Sequence, residues 1–520
     1  MHKTFERLDP VTVQEIETGA AEMQTSAQAE CRAEDSSLSS VVSLSSVVAS
    51  TLVQVREAQR KWSQRSVAER VRIIGRVAAV LADQAQPLSE LVTRSAASPG
   101  EILASEILPL AEASRYVARY GRRALATRTL PQTDRAWWMG SIRVRETREP
   151  FGAVLIIGPS NYPLLLPGVQ ILQALAAGNG VLIKPAPECA QALEHFVQLC
   201  TQAGVPHALA ALLPTSAEAA EAAMRAGVDK VVFTGSFETG RRVAQQLAET
   251  VTPAALELSG NDAVFVLEDA DLERVARSVV YALDLNGGQS CISPRRLFAT
   301  EPTIERLLPR LVGAVEACQP RSIQPHGFAR ARAAVDQALA EGARIVAGDL
   351  TTFSSPSGVS PLVLAGVTAN MQVVRDDLFA PVLAVIEVRD MASALEQSHQ
   401  CRYALGASVF GSGESAARYA QRISVGCVTV NDVLVPTADP RVSFGGWHAS
   451  GYGVTRGLEG LRALTRLKVT CERRGRWLPH LSTDASQLAL LMRGVLVMRH
   501  GRSLGDRWRG LKLLMKAFRK

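Results

Sequence analysis

No CxxC pair occurs in this 520-residue chain. Its eight cysteines, at 31, 189, 200, 291, 318, 401, 427 and 471, are scattered, and no histidine stands at metal-ligand spacing. Neither a metal site nor a disulfide framework is expected, and a reducing, cytoplasmic setting fits. The first residues, MHKTFERLDP, carry charges and no apolar core, so no secretory signal is expected there. No uncharged apolar run reaches about 18 residues, so no membrane-spanning helix is expected. The basic residues come with no nucleic-acid-binding motif, which argues against a nucleic acid partner.

What is present is a long chain with 47% hydrophobic residues, enough for two or three domains and a large core. The net charge of +7 is unevenly spread. Residues 472–520 hold twelve Lys/Arg against three Asp/Glu, a balance of +9, so the other 471 residues sum to −2. The basic character belongs to a tail.

Residues 1–50 read as an N-terminal extension, with a Ser/Val tandem repeat (LSSVVSLSSVV, 38–48) that suits disorder or a weak helix. From 51 to 125 apolar residues recur at intervals of three and four, as in an amphipathic helical layer. Residues 140–149 alternate as a strand does. The runs beginning at Gly152, Val181, Lys230 and Pro253, with a weaker one at 208–214, read as buried strands separated by helices. A second set follows at 263–267, 296–300, 383–388, 406–410 and 427–432. The fold class is α/β, a doubly wound parallel sheet in each of two domains.

Several polar residues stand at strand ends. Cys291, in NGGQSCISPR, reads either as a nucleophile in a tight turn or as one more small buried residue. Glu257 interrupts an apolar run; it is either a buried carboxylate raised toward a useful general base or a residue on a solvent-facing edge. Asn161 follows a buried strand, where it can donate to a developing oxyanion or simply form a turn. Lys184 ends a strand, as a ligand contact or a solvated lysine. In FTGSFETG, Gly235 and Gly240 bracket the start of a helix, a phosphate-type turn or an ordinary helix start. The spacing is neither the dinucleotide G-x-G-x-x-G nor a P-loop.

Taken as an ordered set, GPSNYP, GNGVLIKPAPE, FTGSFETG, LELSG, GGQSC, DDLFAPV and VSFGGWHASGYG resemble the aldehyde dehydrogenase superfamily over about residues 51–470. NYP and VTVNDVLVPTADPRVSFGG look most like its fatty- and aromatic-aldehyde, class-three-like branch. The resemblance implies a Rossmann-like NAD(P)-binding domain (51–257), an α/β catalytic domain (258–455) and a small strand-built oligomerisation arm (131–149 with a strand at 456–471). It implies oxidation of a hydrophobic aldehyde to its acid, with NAD or NADP as cofactor and a homodimer as the assembly. By the same resemblance Cys291 is the nucleophile, Asn161 the oxyanion donor and Glu257 the base. Lys184, Gly235, Ser236, Gly240, Asp377 and Phe379 are cofactor contacts. Two other readings remain open: transfer of the acyl group to coenzyme A or phosphate, and a degenerate, membrane-associated scaffold.

Five positions depart from the family pattern. Asp377 stands where the family has Glu, Ser259 and Asn261 replace Gly and Lys after Glu257, Ser160 replaces a Trp, and Pro187 occupies a position often held by Glu. Beyond the shared core, 472–520 reads as a basic amphipathic tail. Trp508, Leu511, Met515 and Phe518 recur at helical spacing among Arg507, Arg509, Lys512, Lys516 and Arg519. Contact with an anionic membrane surface, packing on protein, and disorder are the open readings.

Overall fold

A computed structural model describes residues 44–518, apart from 93, 95, 96, 134–140, 477, 479, 480 and 482–484. By contact density the chain divides into two compact units, Met1–Arg122 with Pro150–Leu464, and Arg123–Glu149 with Thr465–Lys520.

The first unit holds two large sheets. One has six strands, in the order Gly451–Tyr452, Ala254–Glu257, Lys230–Thr234, Ala153–Ile157, Gly180–Lys184 and Ala210–Leu212. All its pairs are parallel except the first. The central strands Ala153–Ile157 and Lys230–Thr234 are buried along their whole length, as expected of strands covered by helices on both faces. The other sheet has seven strands: Arg344–Ala347, Leu362–Ala365, Val382–Glu387, Pro294–Ala299, Asp262–Val266, Gly406–Phe410 and Cys427–Val430. Only its Arg344–Ala347 edge runs antiparallel to its neighbour. The two strands at 344 and 362 were missed in the sequence. The chain passes from one sheet to the other between Glu257 and Asp262.

Each face of the seven-stranded sheet has its own core. Phe265 stacks on Phe298, with ring centroids 5.4 Å apart, and meets Tyr419 on one side; Val264 and Val266 pack with Val275, Val279 and Leu283 on the other. This alternation is the period-two consequence of the strand. On the six-stranded sheet the expected helical layer is present: Ser66 caps the helix Val67–Asp83 in a reciprocal capping box with Glu69, and its buried face carries Val71, Ile74, Val77 and Leu81.

Two local expectations are corrected. Within 1–50, residues 44–50 belong to a helix that runs from 44 to 63, with Val48 fully buried in the core of the first sheet; residues 1–43 lie outside the described residues. Apolar spacing continuous with Leu52 and Val55 extends that helix backward into the repeat. The segment 456–471 is not a strand throughout. Gly457–Ala463 is helical and the strand is Thr465–Arg473. Buried Gly457, Gly460 and Leu461, at i, i+3 and i+4, turn one helical face inward.

The second unit contains a three-stranded sheet, Arg128–Thr129, Ile142–Pro150 and Thr465–Arg473 in that order. It also contains two helices, Ala485–His500 and Leu504–Phe518. Among the described residues no helix is long and apolar enough to cross a membrane.

Candidate active site

A cavity of about 910 Å³ opens at the strand ends of the first unit. Eight of the nine residues singled out in the sequence line it: Asn161, Lys184, Gly235, Ser236, Glu257, Cys291, Asp377 and Phe379. Gly240 does not. It lies on the buried face of the helix Phe237–Ala248, where a Cβ would sit 2.3 Å from the Leu258 side chain. Its glycine is required for helix packing rather than for a ligand.

Cys291 follows a turn built from three successive left-handed residues, Asn286 (φ 55°), Gly287 (φ 59°) and Gly288 (φ 68°). Such a run is costly for side-chain-bearing residues and persists only when its surroundings fix it. Here they do. Asn286 Nδ2 donates to the Asn161 carbonyl at 3.1 Å, and Gln289 Nε2 donates to the Asn286 carbonyl at 3.0 Å. The buried Arg295 guanidinium donates to the carbonyls of Gly288 and Ala380, both at 2.6 Å, and to that of Ser290 at 3.4 Å. A Cβ on Gly260 would meet the Cys291 carbonyl at 2.2 Å, so a glycine is needed beneath the cysteine as well.

Burial pushes the Cys291 thiol up to about 12, with the charges of Glu257 and Asp262 adding to the shift and Arg456 opposing it. The resting group is therefore a thiol, and attack requires a proton acceptor.

Glu257 ends its strand buried, not at a solvent-facing edge. Its carboxylate accepts from the hydroxyls of Thr455 and, at 3.3 Å, Thr234. Burial raises its pKa, while Arg456 and the two hydroxyls pull the other way. A buried carboxylate of raised pKa is the kind that moves protons near neutrality.

Asn161 is buried, and its Nδ2 donates to the Gln289 carbonyl at 3.1 Å. An amide nitrogen carries two hydrogens, so a second remains for an oxyanion. Behind it the buried Glu106 carboxylate accepts from the backbone N–H groups of Leu164 and Leu165, both at 2.9 Å, and pairs with Arg94. Arg94 in turn donates to Asn286 Oδ1 at 3.3 Å and lies over the Tyr162 ring. The Asn161 turn and the Cys291 turn are thus tied to one buried ion pair.

Three of the departures from the family pattern, Asp377, Ser259 and Asn261, lie close together. The Asp377 carboxylate pairs with Arg295 at 3.5 Å and accepts from the Phe379 N–H at 3.0 Å, and the nearby Ser259 side chain helps favour its charged form. Ser259 therefore faces Asp377. Asn261 donates to the carbonyls of Val374 (2.9 Å) and Asp376 (3.3 Å), while its own carbonyl accepts from Arg296. Asn261 thus braces the segment that carries Asp377. Ser160 lines the cavity, whereas Glu188, next to Pro187, is exposed and does not.

Around the six-stranded sheet's strand ends the lining includes Lys184, Ser236, Thr239, Arg242 and Gln246. Cations, hydroxyls and an amide are a donor set suited to phosphate and ribose oxygens, so these residues fit a nicotinamide dinucleotide. Burial lowers the Lys184 pKa, yet nearby Cys189 and Glu218 favour its charge. Ser236 caps the helix through a bond from Thr239 N–H at 3.3 Å, and a Cβ on Gly235 would lie 2.5 Å from the Phe233 ring.

Sequence reasoning missed Arg295, Arg94, Glu106, Thr455 and Arg456. A signal existed for the first: two arginines inside the otherwise apolar strand PRRLFA are expensive unless they hold something. For the others, partners lie up to 198 residues away, as with Thr455 and Glu257, and no local pattern marks them.

The aldehyde dehydrogenase family model matches residues 23–470. A 4,4'-diapolycopene aldehyde oxidase from Methylomonas sp is 31% identical over 432 residues, covering 81% of this chain and 80% of the relative. A putative succinate-semialdehyde dehydrogenase [NADP(+)] 2 from Mycobacterium ulcerans is 29% identical, covering 80% and 83%. Among solved structures, an NADP-dependent glyceraldehyde-3-phosphate dehydrogenase from Bacillus halodurans complexed with NADP superposes with a TM-score of 0.77 at 27% identity, over 83% of this chain and 92% of that one. With a fold and a strand-end cavity of this kind, the chain belongs to the aldehyde dehydrogenase family. It is an NAD(P)-dependent aldehyde dehydrogenase, in keeping with family structures that hold NAD+ or NADP.

Proposed function

We propose that the protein oxidises a hydrophobic aldehyde, fatty or aromatic, to its carboxylic acid, as in the class-three-like branch of the family. The observation that carries this is the convergence of Cys291, Glu257 and Asn161 on one cavity that Leu166, Tyr281, Leu285, Val435 and Phe444 also line. Glu257 takes the thiol proton, and Cys291 Sγ attacks the aldehyde carbonyl carbon. The oxyanion of the thiohemiacetal is met by the free hydrogen of Asn161 Nδ2 and by the Cys291 backbone N–H. NAD(P), when bound, supplies the acceptor for the hydride. Lys184, Ser236 and the N–H groups of the Gly235 turn hold its ribose and phosphates, with Asp377 and Phe379 on the nicotinamide side. Loss of that hydride leaves a thioester; Glu257, having released the first proton to solvent, takes a proton from water as its oxygen attacks the thioester carbon, the C–S bond breaks, the Cys291 sulfur regains the proton from Glu257, and the acid leaves.

Transfer of the acyl group to coenzyme A or phosphate needs no such base, so the buried Glu257 favours hydrolysis. The homodimer and a cytoplasmic location with peripheral membrane contact through 472–520 belong to the same reading. Thr465–Arg473 is an edge strand with Leu467 and Val469 half exposed, an edge suited to pairing with another chain.

The test is a panel of medium-chain, long-chain and aromatic aldehydes, with diapolycopene aldehyde and succinate semialdehyde from the relatives' names. Reduced NAD and NADP are followed by absorbance. Cys291→Ala is expected to abolish turnover, and Glu257→Gln to give one hydride burst and then stall. Turnover confined to succinate semialdehyde, or surviving in Cys291→Ala, overturns the proposal.

A further inference from the structure

The two helices that end the chain form a hairpin whose core is small and complete. Leu491 and Val495 of Ala485–His500 pack with Leu514 and Ala517 of Leu504–Phe518. Two glycines let the helices come close: a Cβ on Gly510 would lie 2.1 Å from the Met498 nitrogen, and one on Gly494 would lie 2.8 Å from Leu514. The second helix starts in a reciprocal cap, Ser503 N–H to Asp506 and Asp506 N–H to the Ser503 hydroxyl, each at 3.0 Å.

Trp508, Leu511 and Met515 of the apolar stripe noted in the sequence do not lie on the face that packs; the side chain of Phe518, its fourth member, lies outside the described residues. Leu504, Trp508, Leu511 and Met515, at intervals of four, three and four, share one side of the helix. They stay exposed at 77%, 61%, 38% and 47%. Gly510, Leu514 and Ala517 occupy the packed side. Exposed Arg507, Lys512 and Lys516 flank the stripe. Of the remaining charges, Arg509 is already paired with Asp506.

We propose that this hairpin lies on an anionic lipid surface, with the Leu504–Met515 stripe entering the headgroup–acyl boundary and Arg507, Lys512 and Lys516 meeting lipid phosphates. An exposed apolar stripe bordered by cations, on a helix too short to span, is the arrangement that binds in the plane of such an interface. The charge also selects the occupant. In a two-fold contact with a second copy the patch would face itself, setting like charges against like. An anionic surface meets the +9 balance of 472–520 with opposite charge. The inference deepens the peripheral contact proposed above and is independent of the aldehyde chemistry.

The experiment is co-sedimentation of the full chain with vesicles of phosphatidylcholine alone or with one third phosphatidylglycerol. The wild type is expected to bind the anionic vesicles at least ~10-fold more tightly than the neutral ones, with binding weakened by salt. Trp508→Ser/Leu511→Ser/Met515→Ser, which leaves Leu514 and Ala517 in place, is expected to lose at least ~10-fold of that binding. Lys512→Glu/Lys516→Glu is expected to lose a similar amount while retaining helicity and aldehyde turnover. Cys291→Ala is expected to bind vesicles as the wild type does, so failure of the aldehyde reading leaves this one standing. Equal binding by wild type and stripe variant, or none to anionic vesicles, overturns the proposal. So does a concentration-dependent oligomer that the stripe variant disperses without any vesicle binding, which would assign the face to a second copy.

Discussion

The turn before Cys291 and the turn at Gly235 both follow the FTG- and NGG-type glycine patterns that draw the eye in the sequence, yet they are held in opposite ways. The Cys291 turn is over-determined. Three left-handed residues, the Asn286 and Gln289 amides and the Arg295 guanidinium all fix the backbone that carries the sulfur. The Gly235 turn has a helix cap from Ser236, a backbone bond from Gly235 N–H to the Glu257 carbonyl at 3.0 Å, and glycines demanded by the Phe233 ring and Leu258. The difference follows the proposed chemistry. A nucleophile must be set to within a fraction of an ångström, whereas a dinucleotide is held by many weak contacts and tolerates some play.

The sharpest way to break that contrast is Arg295→Met. It removes three carbonyl contacts and leaves the Asp377 carboxylate buried without its partner. A loss of about 3–5 kcal/mol of stability is expected, read from denaturant melts, together with near-complete loss of turnover. Gly288→Ala comes next. The positive φ disfavours any side chain, and the new Cβ would lie 2.7 Å from the Pro381 nitrogen, which is backbone and cannot step aside. About 3 kcal/mol and at least ~100-fold in kcat are expected to be lost. Near-normal kcat in this variant would show that the turn is not over-determined.

A pH series sharpens the comparison from below. Asp262, at the strand start beneath the cysteine turn, is raised to about 7 by burial, against an ordinary value of 3.8. The fold favours its neutral form, so its contribution is full below pH ~4 and is lost as pH rises toward ~7. Asp262→Asn can still accept the bond from Gly406 N–H and does not titrate. Relative to the variant, the wild type is expected to lose about 2 kcal/mol between pH 5 and 7, measured by melts across pH. Parallel curves would refute this. The smallest effect is expected at the other turn. Gly235→Ala needs only a shift of the Phe233 ring, so about 1 kcal/mol and a few-fold rise in KM for NAD(P), with kcat kept, are expected.

Particular residues show how legible the molecule was. Continuous apolar runs marked the long buried strands, because a strand covered on both faces has no polar side to alternate with. The strands at 344 and 362 were not read, although strands of the same length at 254 and 427 were. Eight of the named residues line the cavity: Asn161, Lys184, Gly235, Glu257 and Cys291 were marked by their place near strand ends, and Ser236, Asp377 and Phe379 by the family resemblance. Gly240 stood in the same stretch as Gly235, and only packing revealed that its glycine serves Leu258. In the tail the stripe was legible, but not which face the hairpin would use. The sequence placed Trp508 and Met515 together, whereas contact with the first helix is made through Gly510, Leu514 and Ala517.

The sequence by itself determined the α/β class, the positions of the strand ends and the residue types the chemistry needs, since periodicity and glycine placement are local properties of a chain. Only the tertiary structure decided that Glu257 is buried beside Thr234 and Thr455, that Arg295 holds the cysteine turn, and that Asn261 braces the Asp377 segment. Burial and hydrogen-bond partnership depend on segments far apart in the chain, and these set the desolvation and charge that a local pattern cannot carry.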